Sequence, residues 1–239
     1  MYKGLYNNKV FGPINHTGIA LNETTILTNI PLFSGLEDAV LEDISKLVTK
    51  RSFAKNAIII NEGDETDSLY LIISGKVKVV LSDEDGKEII VSILGPNEIF
   101  GELSLIDAEP RSACVVTMEP SQFSIINKKD FINFLHKNPE VSTNLLVGLT
   151  TRLREANKQI ESLALMDVYG RVARTLLQFA EPENGTLVVK EKLTQKDIAN
   201  MVGASREMVS RIFKDLTVGG YITVDHGTIT INEKLPAGW

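Results

Sequence analysis

Apolar residues recur first at helical spacing, then at strand spacing, then again at helical spacing, which predicts successive regions along the chain. Residues 1–24 precede them, show no clear period and hold turn-forming pairs, so we interpret them as an N-terminal extension. One amphipathic helix is predicted next, because apolar side chains step along a single face. These side chains are Leu36, Val40, Leu41, Ile44 and Leu47.

Residues 52–128 have a different sequence pattern, in which short runs rich in β-branched residues alternate with Gly, Asp and Asn turns. The stretch "SDEDGKE" separates two such runs, and Asp85 with Gly86 forms a hairpin tip. Many short strands at this spacing predict an all-β roll, barrel or sandwich. With the helices on either side, the fold class is α+β, and the unit built around these strands covers residues 25–139.

A long helix is predicted next and, with a hinge, occupies residues 140–166. Its apolar residues step by four, three, four and three positions, a heptad-like seam that can pair with a copy of itself. The same pattern also fits a helix packed on its own domain, but the length and the narrow seam favour a dimerisation helix. The seam residues are Leu149, Leu153, Ala156, Ile160 and Leu163.

The C-terminal region, residues 167–239, contains two short helices with a glycine between them. Thr194 and Asp197 have capping-box spacing, with Asp in place of the usual Glu or Gln. Gly203 ends the first helix, and Ser205 is a good N-cap for the second. This pattern predicts a helix-turn-helix. A tight hairpin at residues 225–227 then makes it a winged version.

The second of these helices separates its side chains into two faces when plotted at ~100° per residue. Met208, Val209, Ile212, Phe213 and Leu216 fall on the side predicted to dock on the domain. Considered alone, the opposite face is an ordinary solvated surface with a Glu–Arg pair. The capped helix and turn before it favour DNA reading, in which Arg bridges guanine and Glu accepts from cytosine. The polar face comprises Arg206, Glu207, Ser210, Arg211 and Lys214.

The chain has 239 residues, of which 43% are hydrophobic, enough for two domains with real cores. No apolar run approaches the ~20 residues of a membrane span, and the N-terminus lacks a signal-peptide pattern, so we expect a soluble cytoplasmic protein. Cys114 is the only cysteine, which excludes an intrachain disulfide and an all-Cys metal site. The three histidines are scattered in sequence, which makes a His cluster for a metal improbable.

Charge is distributed unevenly, although the whole chain carries a net −6. Residues 169–239 hold 9 Lys and Arg against 8 Asp and Glu, a net +1, while the remainder holds 16 against 23, a net −7. A near-neutral C-terminal third beside an acidic body permits nucleic-acid binding there.

The stretch "IFGELSLIDAEPRSACVV" places Glu102 and Arg111 among residues that are otherwise apolar or small. A guanidinium provides paired donors for phosphate oxygens, and a carboxylate accepts from sugar hydroxyls. The "GELS" turn can add backbone N–H groups for the same anion. A buried Glu102–Arg111 ion pair is the structural alternative, and the two roles are compatible in empty and occupied states.

Four stretches occur in one order: "EGDETDSLYLIISGKVKV", "FGELSLIDAEPRSA", "MDVYGRVARTLL" and "VGASREMVSRIFKDL". With them, the chain from about Leu32 to Ile231 resembles the cyclic-AMP receptor protein/FNR family of bacterial transcription regulators. The resemblance implies a double-stranded β-helix (jelly-roll-like) cyclic-nucleotide-binding domain, a dimerisation helix and a winged helix-turn-helix. It also implies a homodimer that binds double-stranded DNA at a palindromic TGTGA-like site and contacts RNA polymerase, with no membrane association.

The resemblance also implies site residues, in which the Glu of "GEL" binds a ribose hydroxyl and the Arg-Ser pair holds the cyclic phosphate. The implied ligand pocket comprises Gly63, Gly75, Ser92, Gly101, Glu102, Leu103, Ser104, Arg111, Ser112 and Asn157. The implied DNA-binding set comprises Thr194, Gln195, Ser205, Arg206, Glu207, Ser210 and Arg211.

Two departures from the best-known cyclic-AMP-binding members concern the base and the polymerase. Ala156 and Asn157 stand where those members have Thr and Ser, and Ala156 offers no hydrogen bond to a purine. Cyclic AMP is the expected effector, with cyclic GMP or another cyclic nucleotide as the alternative. The loop at residues 183–185, where family members touch RNA polymerase, is short here.

Three other functions have weaker support in the sequence than a regulator gated by a cyclic nucleotide. A regulator of the same fold could be ligand-independent or could respond to cyclic di-GMP, but Arg111 and Ser112 favour a small cyclic phosphate. An oxygen sensor of the FNR type needs an N-terminal Cys cluster that this sequence lacks. A metal-dependent enzyme built on the roll needs clustered histidines, and residues 52–128 contain none. We therefore expect neither catalytic nor metal-binding residues, and no cofactor.

Overall fold

The computed structural model describes residues 23–65, 67–183, 185–233 and 235. The predicted N-terminal extension, residues 1–24, lies outside the described residues except for its last two, with which the first helix begins. The short loop at residues 183–185 is described apart from residue 184.

Three short helices precede the strands: α1 (Glu23–Thr28), a 3-10 helix (Pro31–Phe33) and α2 (Asp38–Ser45). The predicted amphipathic helix is confirmed as α2, whose Leu41 and Ile44 are fully buried. Their burial joins them to a core of Leu69, Leu71 and Phe131 beneath the roll. The 3-10 helix was not predicted, because three residues are too few to show a period.

The predicted roll is confirmed and consists of two four-stranded sheets, in the orders β1-β8-β3-β6 and β2-β7-β4-β5. Every pairing is antiparallel, and the inner faces enclose an apolar core that includes Ile72, Val77 and Phe123. The predicted hairpin tip at Gly86 joins β4 to β5. The strands are β1 (Thr49–Phe53), β2 (Ile58–Ile60), β3 (Ser68–Ser74), β4 (Val77–Ser82), β5 (Glu88–Leu94), β6 (Ile99–Phe100), β7 (Cys114–Thr117) and β8 (Ser121–Asn127).

Helices interrupt and follow the roll: α3 (Leu103–Asp107), α4 (Lys128–Lys137) and α5 (Pro139–Leu165). Helix α4 was not predicted, because its polar composition masks the apolar pair Phe131 and Phe134, which are buried one turn apart. The long helix is confirmed as α5, whose 27 residues span about 40 Å. Its first turns bury Val141 and Leu145 against the roll.

The C-terminal domain contains α6 (Val168–Phe179), β9 (Ala180–Glu183), β10 (Thr186–Val189), α7 (Gln195–Val202), α8 (Arg206–Val218), β11 (Ile222–Asp225) and β12 (Thr228–Ile231). The predicted helix-turn-helix is α7 and α8, and the predicted wing is the β11–β12 hairpin. The capping box of Thr194 and Asp197 is present, Gly203 ends α7 in the left-handed region, and Ser205 caps α8.

In the part of the chain that the structure describes, no helix combines the length and the apolar character that crossing a bilayer would require.

Candidate functional site

The turn after β6 explains why a glycine precedes Glu102. Gly101 has φ +82°, and a Cβ built there would lie 2.7 Å from Nη1 of Arg111 and 3.0 Å from the Ser68 carbonyl oxygen. A larger residue would therefore displace the guanidinium as well as strain the backbone. The glycine lets Arg111 pass close beneath the turn.

Arg111 is the centre of this cluster and is 3% exposed. Its Nη1 donates to the Gly101 carbonyl at 2.6 Å, and its Nη2 donates to the Ser68 carbonyl at 2.7 Å. Its backbone N–H donates to Asp64 at 3.0 Å, and its carbonyl accepts from the Gly63 N–H at 2.8 Å. The structure therefore brings Gly63, Gly101 and Arg111 together from three separate segments.

Burial lowers the pKa of the Arg111 guanidinium, while Tyr70 and the acidic groups Asp67, Glu102 and Asp64 act in the opposite direction. An arginine stays protonated under such a shift. A full positive charge is thus kept inside the roll, next to the turn that carries Glu102.

Glu102 is 2% exposed and receives a hydrogen bond from the long helix: Arg152 Nη1 lies 2.6 Å from its Oε1. The other terminal nitrogen of Arg152 donates to the Ile99 carbonyl. This pair ties α5 to the turn that bears Glu102. It also gives Glu102 a cationic partner other than Arg111, the partner that the sequence suggested.

The sequence-based prediction missed Arg152 as a site residue. Fifty positions separate it from Glu102, so nothing local connects them. The available signal was helical phase: Arg152 is four residues before Ala156, which places both on one side of α5. That side is the one predicted to face the purine.

The remaining residues of the "GELS" and "RS" segments divide by exposure. Leu103 is 44% exposed at the start of α3, and Ser112 is also exposed. Ser104 is buried, and its hydroxyl oxygen has no hydrogen-bond partner among the described residues. A buried hydroxyl without a partner is costly, so a ligand that bonds to it would relieve that cost.

The structure places the other three predicted ligand residues on β5, just after β3 and on α5. Ser92 is on β5 opposite Val79, which packs on the core of the roll, so Ser92 faces the interior. Gly75 follows β3, and a Cβ there would lie 2.6 Å from the Cα of Ser121, which accounts for the glycine by close packing. Asn157 is exposed on α5, about 140° around the helix from Arg152.

A cavity of about 210 Å³ opens at one end of the roll, beside the Arg111 cluster. Ser68, whose carbonyl holds Arg111, is part of its wall. Its lining consists of Leu47, Thr49, Arg51, Ser68, Tyr70, Ile125 and Asn127.

A second cleft, of about 410 Å³, lies between α7 and α8, and five of the predicted DNA-binding residues line it. The other side of α8 is buried, as the helical plot predicted for four of its five apolar residues. The plot was wrong about Met208, which is 41% exposed because it lies at the edge of the apolar face, next to the arginines. The lining residues are Gln195, Arg206, Glu207, Ser210 and Arg211.

The other two predicted DNA-binding residues act in this structure as helix caps. The Thr194 hydroxyl accepts from the Asp197 N–H at 3.1 Å and donates to the Asp197 carboxylate at 2.6 Å. The Ser205 hydroxyl accepts from the Met208 N–H at 3.2 Å. Each cap fixes the start of a helix that borders the cleft.

Glu207 is a fully ionised acceptor on this face. A hydrogen bond from its own backbone N–H lowers the pKa of its carboxyl, and the Ser205 hydroxyl, Arg206 and Arg211 lower it further. The face therefore presents two guanidinium groups and one carboxylate, the side chains that read guanine and cytosine edges.

The outer side of α5 is apolar and exposed. Leu146, Leu153 and Ile160 recur every seven residues and are 63%, 61% and 63% exposed. Val147 and Leu163 are 59% and 39% exposed. A stripe with this period is typical of the seam of a two-helix coiled coil.

Two families match the chain, one for each half of this description. Residues 50–138 match the cyclic nucleotide-binding domain, and residues 170–234 match the Crp-like helix-turn-helix domain. The first range holds the Glu102–Arg111 cluster, and the second holds the cleft between α7 and α8.

Curated relatives match over most of their length. The CRP-like cAMP-activated global transcriptional regulator of Mycobacterium tuberculosis is 35% identical over 213 residues, covering 87% of this chain and 95% of the relative. The cAMP-activated global transcriptional regulator CRP of Pasteurella multocida is 36% identical over 183 residues, covering 75% of this chain and 88% of the relative.

Solved structures share the architecture. The catabolite activator protein of Thermus thermophilus is 31% identical, with a TM-score of 0.52, and the match covers 85% of this chain and 94% of that one. The c-di-GMP responsive global regulator CLP of Xanthomonas campestris superposes with a TM-score of 0.73, covering 83% of this chain and 100% of that one. At 22% identity, CLP shows the fold alone.

Proposed function

The chain belongs to the cyclic-AMP receptor protein/FNR family of transcription regulators, and on that premise we propose that it is a homodimeric, cyclic-AMP-responsive DNA-binding regulator. The nucleotide binds in the roll, and the two helix-turn-helix domains read the halves of a palindromic TGTGA-like site. The protein acts on DNA in the cytoplasm and is not an enzyme. The relatives' names, which describe cAMP-activated regulators, support the effector.

One observation carries the proposal: Glu102 and Arg111 are both almost fully buried at a single glycine turn, where Arg111 bonds to the carbonyl of Gly101, the residue before Glu102. The Arg111 guanidinium suits the cyclic phosphate, because it presents two parallel donors to a pair of oxygens. Two of its acceptors are neutral carbonyl groups, which a phosphate can replace with a stronger, charge-assisted bond. Glu102 then accepts from the ribose hydroxyl.

Arg152 extends the pocket to the long helix. It holds Glu102 from α5, so a nucleotide bound at Glu102 also touches the group that connects the roll to that helix. Ser104, whose buried hydroxyl has no partner among the described residues, supplies a further donor in the same segment. Occupancy of the pocket can shift the DNA-binding equilibrium only if the nucleotide binds one arrangement of these groups better than another.

The dimer follows from the seam on α5. Three large apolar side chains spaced seven residues apart, each more than half exposed, form a stripe that a second copy of α5 covers. Pairing α5 with its copy also brings Asn157, which points away from Glu102 of its own chain, toward the pocket of the partner. In such a dimer the two recognition helices reach major grooves about 34 Å apart.

Titration calorimetry with the full-length protein tests the pocket. Cyclic AMP is expected to bind, and Arg111→Lys, which keeps the charge but loses the paired donors, is expected to weaken binding about 10- to 100-fold. Arg154→Lys, the same substitution at an exposed arginine of α5 that does not line the cavity, is the matched control and should bind as the parent does. No binding of cyclic AMP or cyclic GMP at millimolar concentration would overturn the proposal.

Fluorescence anisotropy with a labelled palindrome at one fixed salt concentration tests DNA reading. Arg211→Ala is expected to cost about 1–3 kcal/mol on the TGTGA-like site and much less on a scrambled site. Lys192→Ala, an exposed cation outside the cleft, should lower both affinities slightly and equally. Equal losses on both sites for Arg211→Ala would mean that it contacts phosphate rather than base.

A ligand-independent regulator of the same fold is the second candidate. It is favoured by the finding that Glu102 and Arg111 are already bonded within the protein, so the roll needs no ligand to hold them. Cyclic di-GMP belongs in the same titration as cyclic AMP. High DNA affinity without any nucleotide, unchanged by Arg111→Lys, would favour this candidate.

A further inference from the structure

One pair of strands, β4 and β5, touches both domains. Val79 is opposite Ser92 in this pair, and Lys78 is opposite Ile93. Because cross-strand partners share a face, Val79 and Ser92 point into the roll, while Lys78 and Ile93 point outward. Ile93 packs on the core of the helix-turn-helix domain, so the two strands separate the candidate pocket from that domain.

Two lysines of this hairpin form ion pairs with the helix-turn-helix domain. Lys78 Nζ lies 3.2 Å from Oδ1 of Asp197, and Lys76 Nζ bonds to Glu191. The four side chains are between 13% and 30% exposed. Such partly desolvated pairs interact more strongly than surface pairs, and salt screens them less completely.

In a third contact the charges are reversed: the roll supplies the anion and the helix-turn-helix domain supplies the cation. Glu88, at the start of β5, accepts from Nδ2 of Asn200 at 3.2 Å and lies 3.6 Å from Nζ of Lys196. Both partners are on α7, the first helix of the helix-turn-helix. The sensor thus contributes two cations and one anion, and the DNA-binding domain presents the complementary charges.

The Lys78 pair reaches the DNA-reading surface. Asp197 closes the capping box of α7 with Thr194. Burial raises the pKa of its carboxyl, but the hydrogen bonds from Thr194 and the contact with Lys78 together lower that pKa by more. Gln195, which lines the reading cleft, is the first residue of the same helix. The cleft itself stays open while α7 is docked, because its arginines are exposed.

We propose that the outer face of β4–β5 is a charge-paired docking surface that positions the helix-turn-helix domain for DNA reading. Lys76 and Lys78 are its positioning residues: they touch no base, but Lys78 holds Asp197 of α7 and Lys76 holds Glu191, which precedes that helix. A helix-turn-helix domain released from this surface binds DNA with lower affinity. Part of the binding free energy must then orient the domain, which is already oriented in the docked chain.

Strand β5 of this docking surface carries Ser92 on its inner face, so docking can respond to a ligand bound inside the roll. This step rests on the proposed function. A nucleotide bound against Ser92 is expected to change the salt concentration at which half of the molecules are docked. If cyclic AMP binds and this midpoint does not move, the coupling is refuted while nucleotide binding stands.

Charge reversal at Lys76 and Glu191 tests the docking itself, because neither side chain caps a helix. Spin labels at Asp85→Cys and His226→Cys, in a Cys114→Ser background, report the distance between the hairpin tip and the wing. Labelled chains are diluted with unlabelled ones to remove signals between copies. This measurement needs neither nucleotide nor DNA, so its failure would leave the proposed function standing.

At low salt the parent is expected to show one narrow distance population, and Lys76→Glu a broad one. Glu191→Lys should also show a broad distance population, and the double variant Lys76→Glu/Glu191→Lys should show the narrow population again. DNA affinity should fall about three- to tenfold in Lys76→Glu and recover in the double variant, which has the parent's net charge.

Lys192→Glu makes the same charge change as Lys76→Glu at an exposed position and is the control for both readouts. A narrow population in both single reversals would overturn the proposal. So would a double reversal as broad as the singles, or a loss of DNA affinity no larger than that of Lys192→Glu.

Discussion

Arg152→Met removes the cation that holds Glu102, and we expect a measurable loss of stability even without ligand. The two members of this pair differ in burial: the Glu102 side chain is 3% exposed, whereas that of Arg152 is 38% exposed. Methionine keeps much of the length and apolar stem of arginine, so the substitution mainly removes the charge and its two hydrogen bonds.

Deleting one partner of a buried ion pair costs about 3–5 kcal/mol, because a charge stays buried without compensation. Water already reaches Arg152, which screens the pair, so we expect about 2 kcal/mol. Glu102→Gln should cost about 1 kcal/mol, since the arginine it leaves behind can turn toward solvent. The double variant should be more stable than the sum of the two losses predicts, because the Glu102 carboxylate is then no longer left buried without Arg152.

Urea unfolding followed by circular dichroism measures these differences, at one protein concentration because the stability of a dimer depends on it. Arg154→Met is the matched control: the same substitution at an exposed position of α5 should change stability by less than about 0.5 kcal/mol. If Arg152→Met is as stable as Arg154→Met, or if the double variant shows strict additivity, Glu102 does not depend on Arg152.

Three further predictions concern packing, assembly and pH. In urea unfolding, Gly75→Ala should destabilise the roll by several kcal/mol and Gly63→Ala by only about 1 kcal/mol. Both glycines have positive φ, +85° and +83°, but only at Gly75 would the new Cβ meet backbone atoms, at 2.6 and 2.7 Å. Equal losses would contradict the packing argument. Leu153→Glu should convert the dimer to a monomer in sedimentation experiments, because the seam would then bury two carboxylates; a dimer that persists would place the interface elsewhere. Folding lowers the pKa of Asp197 below its usual 3.8, so its contribution to stability is present above that pH and is lost as the pH falls through the folded-state pKa. In urea unfolding, Asp197→Asn should therefore be less stable than the parent at pH 6, and the difference should shrink as the pH is lowered below 3.8.

Local chemistry made much of the DNA-binding domain predictable. The capping box at Thr194 and the N-cap at Ser205 depend on hydrogen bonds over three residues, which spacing reveals directly. The two faces of α8 followed from helical periodicity, with Met208 misplaced because a plot cannot say where a buried face ends. Helix α4 was missed because its two buried phenylalanines gain their burial from a core that other segments supply.

The pocket shows where sequence reasoning stops. The "GELS" and "RS" segments marked Glu102 and Arg111 as candidates, but their partners are far away in the chain: Arg152 for the carboxylate, and the Ser68 carbonyl for the guanidinium. Which charge meets which depends on how α5 lies across the roll. No pattern within either segment contains that information.

The sequence by itself determined most of the elements, the caps of α7 and α8, and the residue types of both sites, because hydrogen bonding and amphipathicity act over a few residues. Only the tertiary structure decided that Glu102 bonds to α5 and that β4–β5 meets the helix-turn-helix domain through Lys76, Lys78 and Glu88. Those contacts join residues that are fifty to more than a hundred positions apart. Their geometry depends on the packing of whole elements, which is why it becomes visible only in the folded chain.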